Sequence, residues 1–166
     1  MKASDRWDSL IQYWVEALWP EMDWRLIKCQ INRESAFNPN AIGVVAGALD
    51  KQPRTASEAI ATAKALRSKG RNFSVGLAQI NIHNLPRLGL TIEDGFDACK
   101  SLTAMQAILS ECFTRTDTSS SEQTALRRTL SCYYSGNFDT GFRHGYVRKV
   151  AVAARAVTTA QPKEKV

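Results

Sequence analysis

The segment that carries most information about the fold is Ile31-Asn32-Arg33-Glu34-Ser35-Ala36-Phe37-Asn38-Pro39-Asn40-Ala41. Ile27, Ile31 and Glu34 follow one another at spacings of four and three residues, so these side chains share one face of a helix. The helix has to end soon afterwards, because Pro39 disfavours helical geometry at the residue before it. The sequence therefore predicts an amphipathic helix that stops at the proline and holds a carboxylate in its last turn, facing packed protein.

The predicted position of Glu34 favours the protonated form of its carboxyl group. Burial disfavours the charged form, and the carbonyl end of a helix carries partial negative charge. Both effects raise the pKa of a carboxyl group, as a general acid at neutral pH requires. The alternative is an ordinary solvated glutamate, and this segment alone favours that alternative.

Length and charge restrict the class of protein. A chain of 166 residues with 44% hydrophobic and 23% charged residues predicts one globular domain, 1–158, followed by a disordered tail, 159–166. The net charge of +6 favours polyanionic surroundings, namely nucleic acid, an acidic membrane face or an anionic cell wall. The basic residues are scattered in doublets such as Arg127-Arg128, without interleaved aromatics, so we expect no nucleic-acid partner.

The cysteines and the N-terminal segment bear on the cellular compartment. No Cys-x-x-Cys pair occurs and the two histidines lack metal-ligand spacing, so we expect no metal and no other cofactor. Four cysteines permit three disulfide pairings, or they are small buried apolar residues, and the sequence leaves this open. The segment Trp7–Trp19 contains charged residues, so we expect neither a signal core nor a membrane span there.

Helical patterns dominate the chain, and the sequence predicts a single α+β, predominantly helical fold. The extended stretch is Asn72–Asn81, and Asn38–Pro53 is predicted to be irregular. Thr55-Ala56-Ser57-Glu58 forms a capping box, in which hydroxyl and carboxylate each accept from the other residue's amide. Predicted helices run from Asp5 to Leu18, from Asp23 past Glu34, from Thr55 to Lys69, from Asp97, from Glu122 to Gly136, and from Gly145 to Val157.

Two further motifs carry polar and aromatic side chains suited to sugars. Gly76-Leu77-Ala78-Gln79-Ile80-Asn81 places the amides of Gln79 and Asn81 on one face of an extended segment, where they could bind hydroxyl and N-acetyl groups. Cys132-Tyr133-Tyr134-Ser135-Gly136-Asn137 ends a helix with two tyrosines, whose rings offer a stacking face. Taken singly, each motif is equally compatible with ordinary packing. Tyr146, at the start of the last helix, is predicted to be a core residue.

Taken in order, these motifs resemble the lytic transglycosylases with a goose-type-lysozyme-like catalytic domain. The resemblance covers roughly Trp24 to Ala156 and rests on Glu34-Ser35, Asn38-Pro39-Asn40-Ala41, Gly76-Leu77-Ala78-Gln79 and Tyr133 with Gly136. The residues within these motifs are most similar to those of the branch that accompanies type IV secretion and conjugation systems. Departures from the general family pattern fall at Gly43, Ala78 and Tyr134, and a long insertion separates Gly47 from Gly76.

The resemblance implies a lysozyme-like domain with a small β-tongue beside an active-site cleft. It implies that Glu34 is the catalytic acid and base, that Gln79 contacts the glycan, and that Tyr133 lies over the reaction centre. Ser35, Asn81, Tyr134 and Asn137 are further candidates for substrate binding. The implied partners are peptidoglycan strands and a secretion or conjugation apparatus, and we expect a periplasmic or cell-envelope monomer.

The implied reaction cleaves the bond between N-acetylmuramic acid and N-acetylglucosamine and leaves a 1,6-anhydro end. One carboxyl group suffices, because the acetamido group of the substrate would stabilise the developing cation. The alternatives are a lysozyme that uses the same Glu34 with water, a non-catalytic glycan-binding assembly protein and, least favoured, a basic nucleic-acid binder.

Overall fold

The computed structural model describes residue 12 and residues 24–159 of the chain. The predicted first helix, apart from Gln12, and residues 160–166 lie outside the described residues. The chain divides into two compact units, one containing the residues up to Arg33 and from Ile108 onward, the other Glu34–Ala107. The chain crosses from one unit to the other within two helices. We call the unit made of the two ends of the sequence the outer-sequence unit and the other the central unit, and we describe each by itself.

Residues 24–159 form eight helices and three short strands, which confirms an α+β fold dominated by helices. The elements are α1 (Trp24–Ser35), β1 (Ile42–Val44), α2 (Ala56–Ser68), β2 (Phe73–Val75), β3 (Ile80–Asn81), α3 (Asn84–Arg87), α4 (Ile92–Gly95), α5 (Ala98–Thr114), α6 (Glu122–Ser135), α7 (Thr140–Arg143) and α8 (Tyr146–Thr159).

The strands form one antiparallel sheet in the order β1-β2-β3 within the central unit. Ile42 is paired with Val75, and Ser74 with Asn81. One expectation is wrong here, because the segment predicted to be irregular contains β1. The predicted extended stretch supplies β2 and β3 of the sheet, with a turn at residues 76–79 between them. Strands of two or three residues are too short for an alternating pattern to be recognised in the sequence.

The predicted capping box at the start of α2 is present in part. The Thr55 hydroxyl accepts from the Glu58 amide at 3.2 Å, as a capping box requires. The Glu58 carboxylate, however, accepts from the Arg54 amide at 2.8 Å rather than from Thr55. A complete capping box instead joins Thr91 and Asp94 at the start of α4. The single-turn helices α3, α4 and α7 were not predicted, because four residues carry too little periodicity.

The outer-sequence unit packs α6 against α8 and is cross-linked by a disulfide. Leu130 on α6 and Val147 and Val150 on α8 are buried in one cluster with Tyr146, which confirms Tyr146 as a core residue. A disulfide joins Cys112 on α5 to Cys132 on α6. Cys29 and Cys99 remain thiols, so the structure selects one bridge among the pairings that the sequence left open.

Candidate functional site

Glu34 is the penultimate residue of α1, so the predicted placement of its carboxylate in the last helical turn is confirmed. Ile31 and Ile27, one and two turns before it, are buried, and Glu34 itself is half-buried. The apolar stripe of α1 thus continues into a carboxylate that is partly withdrawn from water.

The chain leaves α1 through a reversal that was not predicted. Ala36 and Phe37 have left-handed backbone with φ of 51° and 61°, and Phe37 is buried. The helix therefore ends at Ser35, and the expectation that it runs to the proline is wrong. Left-handed backbone costs roughly 1–2 kcal/mol per non-glycine residue. Burial of the Phe37 ring offsets part of this cost, since burying such a side chain contributes about 1.5–3 kcal/mol.

The segment after the reversal is tied to the Gly76–Gln79 turn through one carbonyl group. The Ala41 carbonyl oxygen accepts from the Gly76 amide at 2.9 Å and from Gln79 Nε2 at 3.0 Å. Gln79 Nε2 also donates to the Gly76 carbonyl at 2.9 Å. The Gln79 amide group thus holds together two of the sequence motifs within the central unit, and we call this arrangement the Gln79 clasp.

The clasp determines which part of the Gln79 side chain remains available. Both Nε2 hydrogens are used on backbone carbonyls. Oε1 has no hydrogen-bond partner among the described residues and lies toward Gly43, where an added Cβ would come within 2.6 Å of it. The Gln79 side chain therefore retains an acceptor, Oε1, and has no spare donor.

Gly76 is required by its surroundings. Its φ is 78°, and a Cβ at this position would lie 1.9 Å from the Gly95 carbonyl oxygen. Ala78, in the same turn, is buried, and its backbone N–H donates to Ser101 Oγ at 3.1 Å. The turn that presents Gln79 is thus fixed against α4 and α5 of the same unit.

The sequence predicted that Gln79 and Asn81 lie on one face of an extended segment, and this prediction is wrong. Gln79 lies in the turn with a φ of 50°, whereas Asn81 ends β3. Asn81 Nδ2 donates to Asn72 Oδ1 at 2.9 Å, and Asn81 Oδ1 accepts from the His83 amide at 3.0 Å. These bonds hold the end of the hairpin.

In the outer-sequence unit, the tyrosine motif forms the last turn of α6. Tyr133 is half-buried and Tyr134 is 43% exposed. The Tyr134 ring stacks on the buried Tyr146 ring with centroids 4.6 Å apart, and its hydroxyl lies 3.2 Å from His144 Nδ1. The outward face of Tyr134 is thus a supported aromatic surface, of the kind on which sugars stack.

Asn137 shapes the loop after α6. Gly136 adopts a left-handed φ of 78° as the C-cap. Asn137 Oδ1 accepts from the amides of Asp139 and Thr140 at 3.0 and 2.8 Å. Its carbonyl accepts from Ser131 Oγ at 2.9 Å. The side chain therefore fixes the start of α7.

Three contributors to these arrangements were not recognised in the sequence. They are the Ala41 carbonyl, Gly43 and His144. A carbonyl group has no sequence signature, and Gly43 resembles any loop glycine. His144 was considered only as a metal ligand, and its separation of ten residues from Tyr134 follows no helical or strand period.

The described residues contain neither a membrane-spanning helix nor a metal-binding cluster. None of the helices in residues 24–159 is long and apolar enough to cross a membrane. Within the same residues, no group of three or more His, Cys, Asp or Glu side chains is arranged to hold a metal ion.

The helical fold, the glutamate at the end of α1 and the Gly76–Gln79 turn point to a domain of the lysozyme-like transglycosylase class. The family model described as Transglycosylase SLT domain matches residues 12–153. The chain therefore belongs to the transglycosylase SLT domain family.

Several curated proteins are similar in sequence. The "Type IV secretion system protein virB1" of Brucella abortus and that of Brucella suis are 50% identical over 133 residues, covering 76% of this chain and 56% of each relative. "Protein virB1" of Rhizobium radiobacter is 44% identical over 89 residues, covering 54% of this chain and 37% of the relative. The chain thus spans little more than half the length of these Brucella relatives. No solved structure matches it significantly.

Proposed function

We propose that this protein is a peptidoglycan lytic transglycosylase that opens the cell wall locally for a type IV secretion or conjugation apparatus. The observation that carries the proposal is Glu34, half-buried at the end of α1, in a chain that belongs to the SLT family. The Gln79 clasp supports it, because it fixes the segment after Glu34 to the turn that presents Gln79 Oε1.

Glu34 acts as acid and then as base. Its protonated carboxyl group donates to the glycosidic oxygen while the acetamido carbonyl of N-acetylmuramic acid stabilises the developing positive charge. The carboxylate then takes the proton from the C6 hydroxyl as that oxygen bonds to C1. The product is the 1,6-anhydro ring, and no water is consumed. Acid–base catalysis of this kind contributes about 10²–10⁴-fold.

The acidic residues around α4 support a mechanism with one carboxylate. Glycosidases that use two place both beside the scissile bond. Here Glu93 is paired with Lys64, and Asp94 with Lys100. The pKa of Asp94 is lowered to about 2, chiefly by the hydrogen bond that its carboxylate accepts from Lys100. Both carboxylates are engaged in ion pairs with lysines, and we assign the catalytic role to Glu34.

Some of the other candidate residues would touch the glycan, and the rest would hold the loops beside it in place. We assign Gln79 Oε1 to accept from an N–H or O–H group of the glycan, and Tyr133 and Tyr134 to contact sugar rings. Ser35 is buried beside Glu34 in the chain and would act through its position there. Asn81 and Asn137 would act by holding the loops that border the substrate, since their side chains bond to those loops.

The proposed location is the periplasm, and the proposed state is a monomer. The Cys112–Cys132 disulfide is consistent with this location, since disulfides persist in oxidising compartments. The names of the Brucella relatives associate those proteins with type IV secretion, and we propose the same association for this chain.

The variant Glu34→Gln tests the catalytic assignment. The amide has the shape of the carboxyl group but cannot deliver a proton, so release of soluble fragments from purified sacculi should fall at least 10²-fold. Glu122→Gln, the same change at an exposed position on α6, is the matched control and should keep full activity. Undiminished lysis by Glu34→Gln, with its circular dichroism unchanged, would refute the assignment. Glycan binding without lysis by the parent protein would favour the assembly-protein alternative.

A further inference from the structure

The outer-sequence unit contains a cationic groove that the proposed reaction does not use. It has a volume of about 850 Å³ and lies among α6, α7 and the loop between them. We call it the arginine groove. Its lining residues are Thr124, Arg127, Arg128, Phe138, Asp139, Phe142 and Arg143.

Three arginines and one carboxylate line the groove, so its net charge is positive. Arg127 makes no hydrogen bond or ion pair with any described side chain, Arg143 reaches the Thr140 hydroxyl, and Arg128 reaches the Ser120 hydroxyl. No carboxylate of the described residues lies within 4.0 Å of these three guanidinium groups. An excess of positive charge favours an anionic ligand, and guanidinium groups bind carboxylates in a planar two-bond geometry.

The groove is also partly apolar. Phe142 is 45% exposed, and the Phe138 ring has the guanidinium of Arg115 over its face at 5.6 Å from the centroid. A bare inorganic anion would not use these rings, whereas a peptide with carboxylates and small apolar side chains would. The volume is that of a small-ligand site, roughly 300–1,000 Å³.

We propose that the arginine groove binds the stem peptide attached to the muramic acid residues of peptidoglycan. This inference rests on the proposed function, because it concerns the same substrate. The stem peptide contains alanine methyl groups and exposed carboxylates, and in many walls the amine of a diamino acid. The arginines suit the carboxylates, the phenylalanines suit the methyl groups, and Asp139 suits the amine.

The position of the groove on α6 agrees with such a substrate. Arg127 and Tyr134 are seven residues apart, so they lie on the same side of the helix, separated by roughly 10 Å along its axis. A strand with a sugar on the exposed Tyr134 ring would have its peptide branch within reach of Arg127. The groove would therefore make the enzyme prefer glycan that still carries peptides.

The test compares two substrates that differ in the peptide alone. One is purified peptidoglycan, and the other is the same material stripped of stem peptides by an amidase. The parent protein should cleave the peptide-bearing strand with the lower KM. Arg127→Gln combined with Arg143→Gln should raise that KM about threefold to tenfold, leave kcat unchanged and leave cleavage of stripped glycan unaltered. Arg148→Gln, an exposed arginine on α8 outside the groove, is the matched control and should change neither KM.

A binding measurement makes the test independent of activity. Synthetic stem peptide is titrated into the isotopically labelled protein, and the arginine side-chain NMR signals are followed. Shifts of the Arg127 and Arg143 signals that are lost in the double variant support the proposal. It is overturned if the parent protein shows no preference between the substrates, or if an L-peptide of equal charge shifts these signals while the stem peptide does not. If neither substrate is cleaved, the proposed function fails, and the titration alone still decides whether the groove binds stem peptide.

Discussion

Replacement of Gln79 measures the energy of the clasp. Its Nε2 donates to the Ala41 carbonyl at 3.0 Å and to the Gly76 carbonyl at 2.9 Å. A hydrogen bond within a protein contributes a net of about 1 kcal/mol. Gln79→Ala removes both bonds and keeps the left-handed backbone, so the free energy of unfolding should fall by about 2 kcal/mol.

Gln79→Gly separates the side-chain contribution from the backbone strain. It loses the same two hydrogen bonds, but glycine adopts a φ of 50° without the penalty of a Cβ. The strain relieved is about 1 kcal/mol. The glycine variant should therefore be more stable than the alanine variant by about 1 kcal/mol and less stable than the parent protein. Both variants should bind glycan more weakly, because both lack Oε1.

The assay is urea unfolding followed by far-ultraviolet circular dichroism, with linear extrapolation to water. Gln123→Ala, an exposed glutamine on α6, serves as the control and should change stability by less than about 0.5 kcal/mol. The account of the clasp is refuted if Gln79→Ala is as stable as the parent protein. It is also refuted if the alanine variant is more stable than the glycine variant.

Three other predictions concern stability. Gly76→Ala should destabilise the fold by more than about 2 kcal/mol, because its Cβ would meet the Gly95 carbonyl at 1.9 Å in left-handed backbone; an unchanged urea midpoint would contradict this. Replacing Cys112 and Cys132 by alanine should lower the free energy of unfolding by about 3 kcal/mol for a loop of 20 residues, and thiol titration of the denatured oxidised protein should find two thiols rather than four. The pKa of Asp94 is lowered from 3.8 to about 2, so its contribution to stability is present above pH 3.8 and is lost as the pH falls through about 2. The difference in Tm between Asp94→Asn and the parent protein should therefore disappear in acid, and a constant difference down to that pH would count against the ion pair.

The sequence was sufficient for those features that follow from helical periodicity. The stripe of Ile27, Ile31 and Glu34 placed the carboxylate correctly, because burial of apolar residues determines the face of a long helix. The caps at Thr55 and Gly136 were likewise predictable, since each satisfies helix-end groups through local contacts.

The remaining features depend on contacts between distant residues. The reversal at Ala36 and Phe37 uses backbone conformations that these residue types disfavour, and tertiary packing has to offset their cost. The clasp joins Gln79 to Ala41 across 38 residues, and the contact between Tyr134 and His144 spans the loop after α6 and the short helix α7. Such contacts follow from the assembled chain and not from any local pattern.

The measurement that tests the central claim most directly is the mass of the muramic acid ends released from sacculi digested in water enriched in heavy oxygen. If Glu34 performs both proton transfers, the ends are anhydro sugars that are one water lighter than hydrolysed ends and contain no heavy oxygen. Reducing ends that carry heavy oxygen would show that water is the acceptor. The protein would then be a lysozyme that uses the same glutamate.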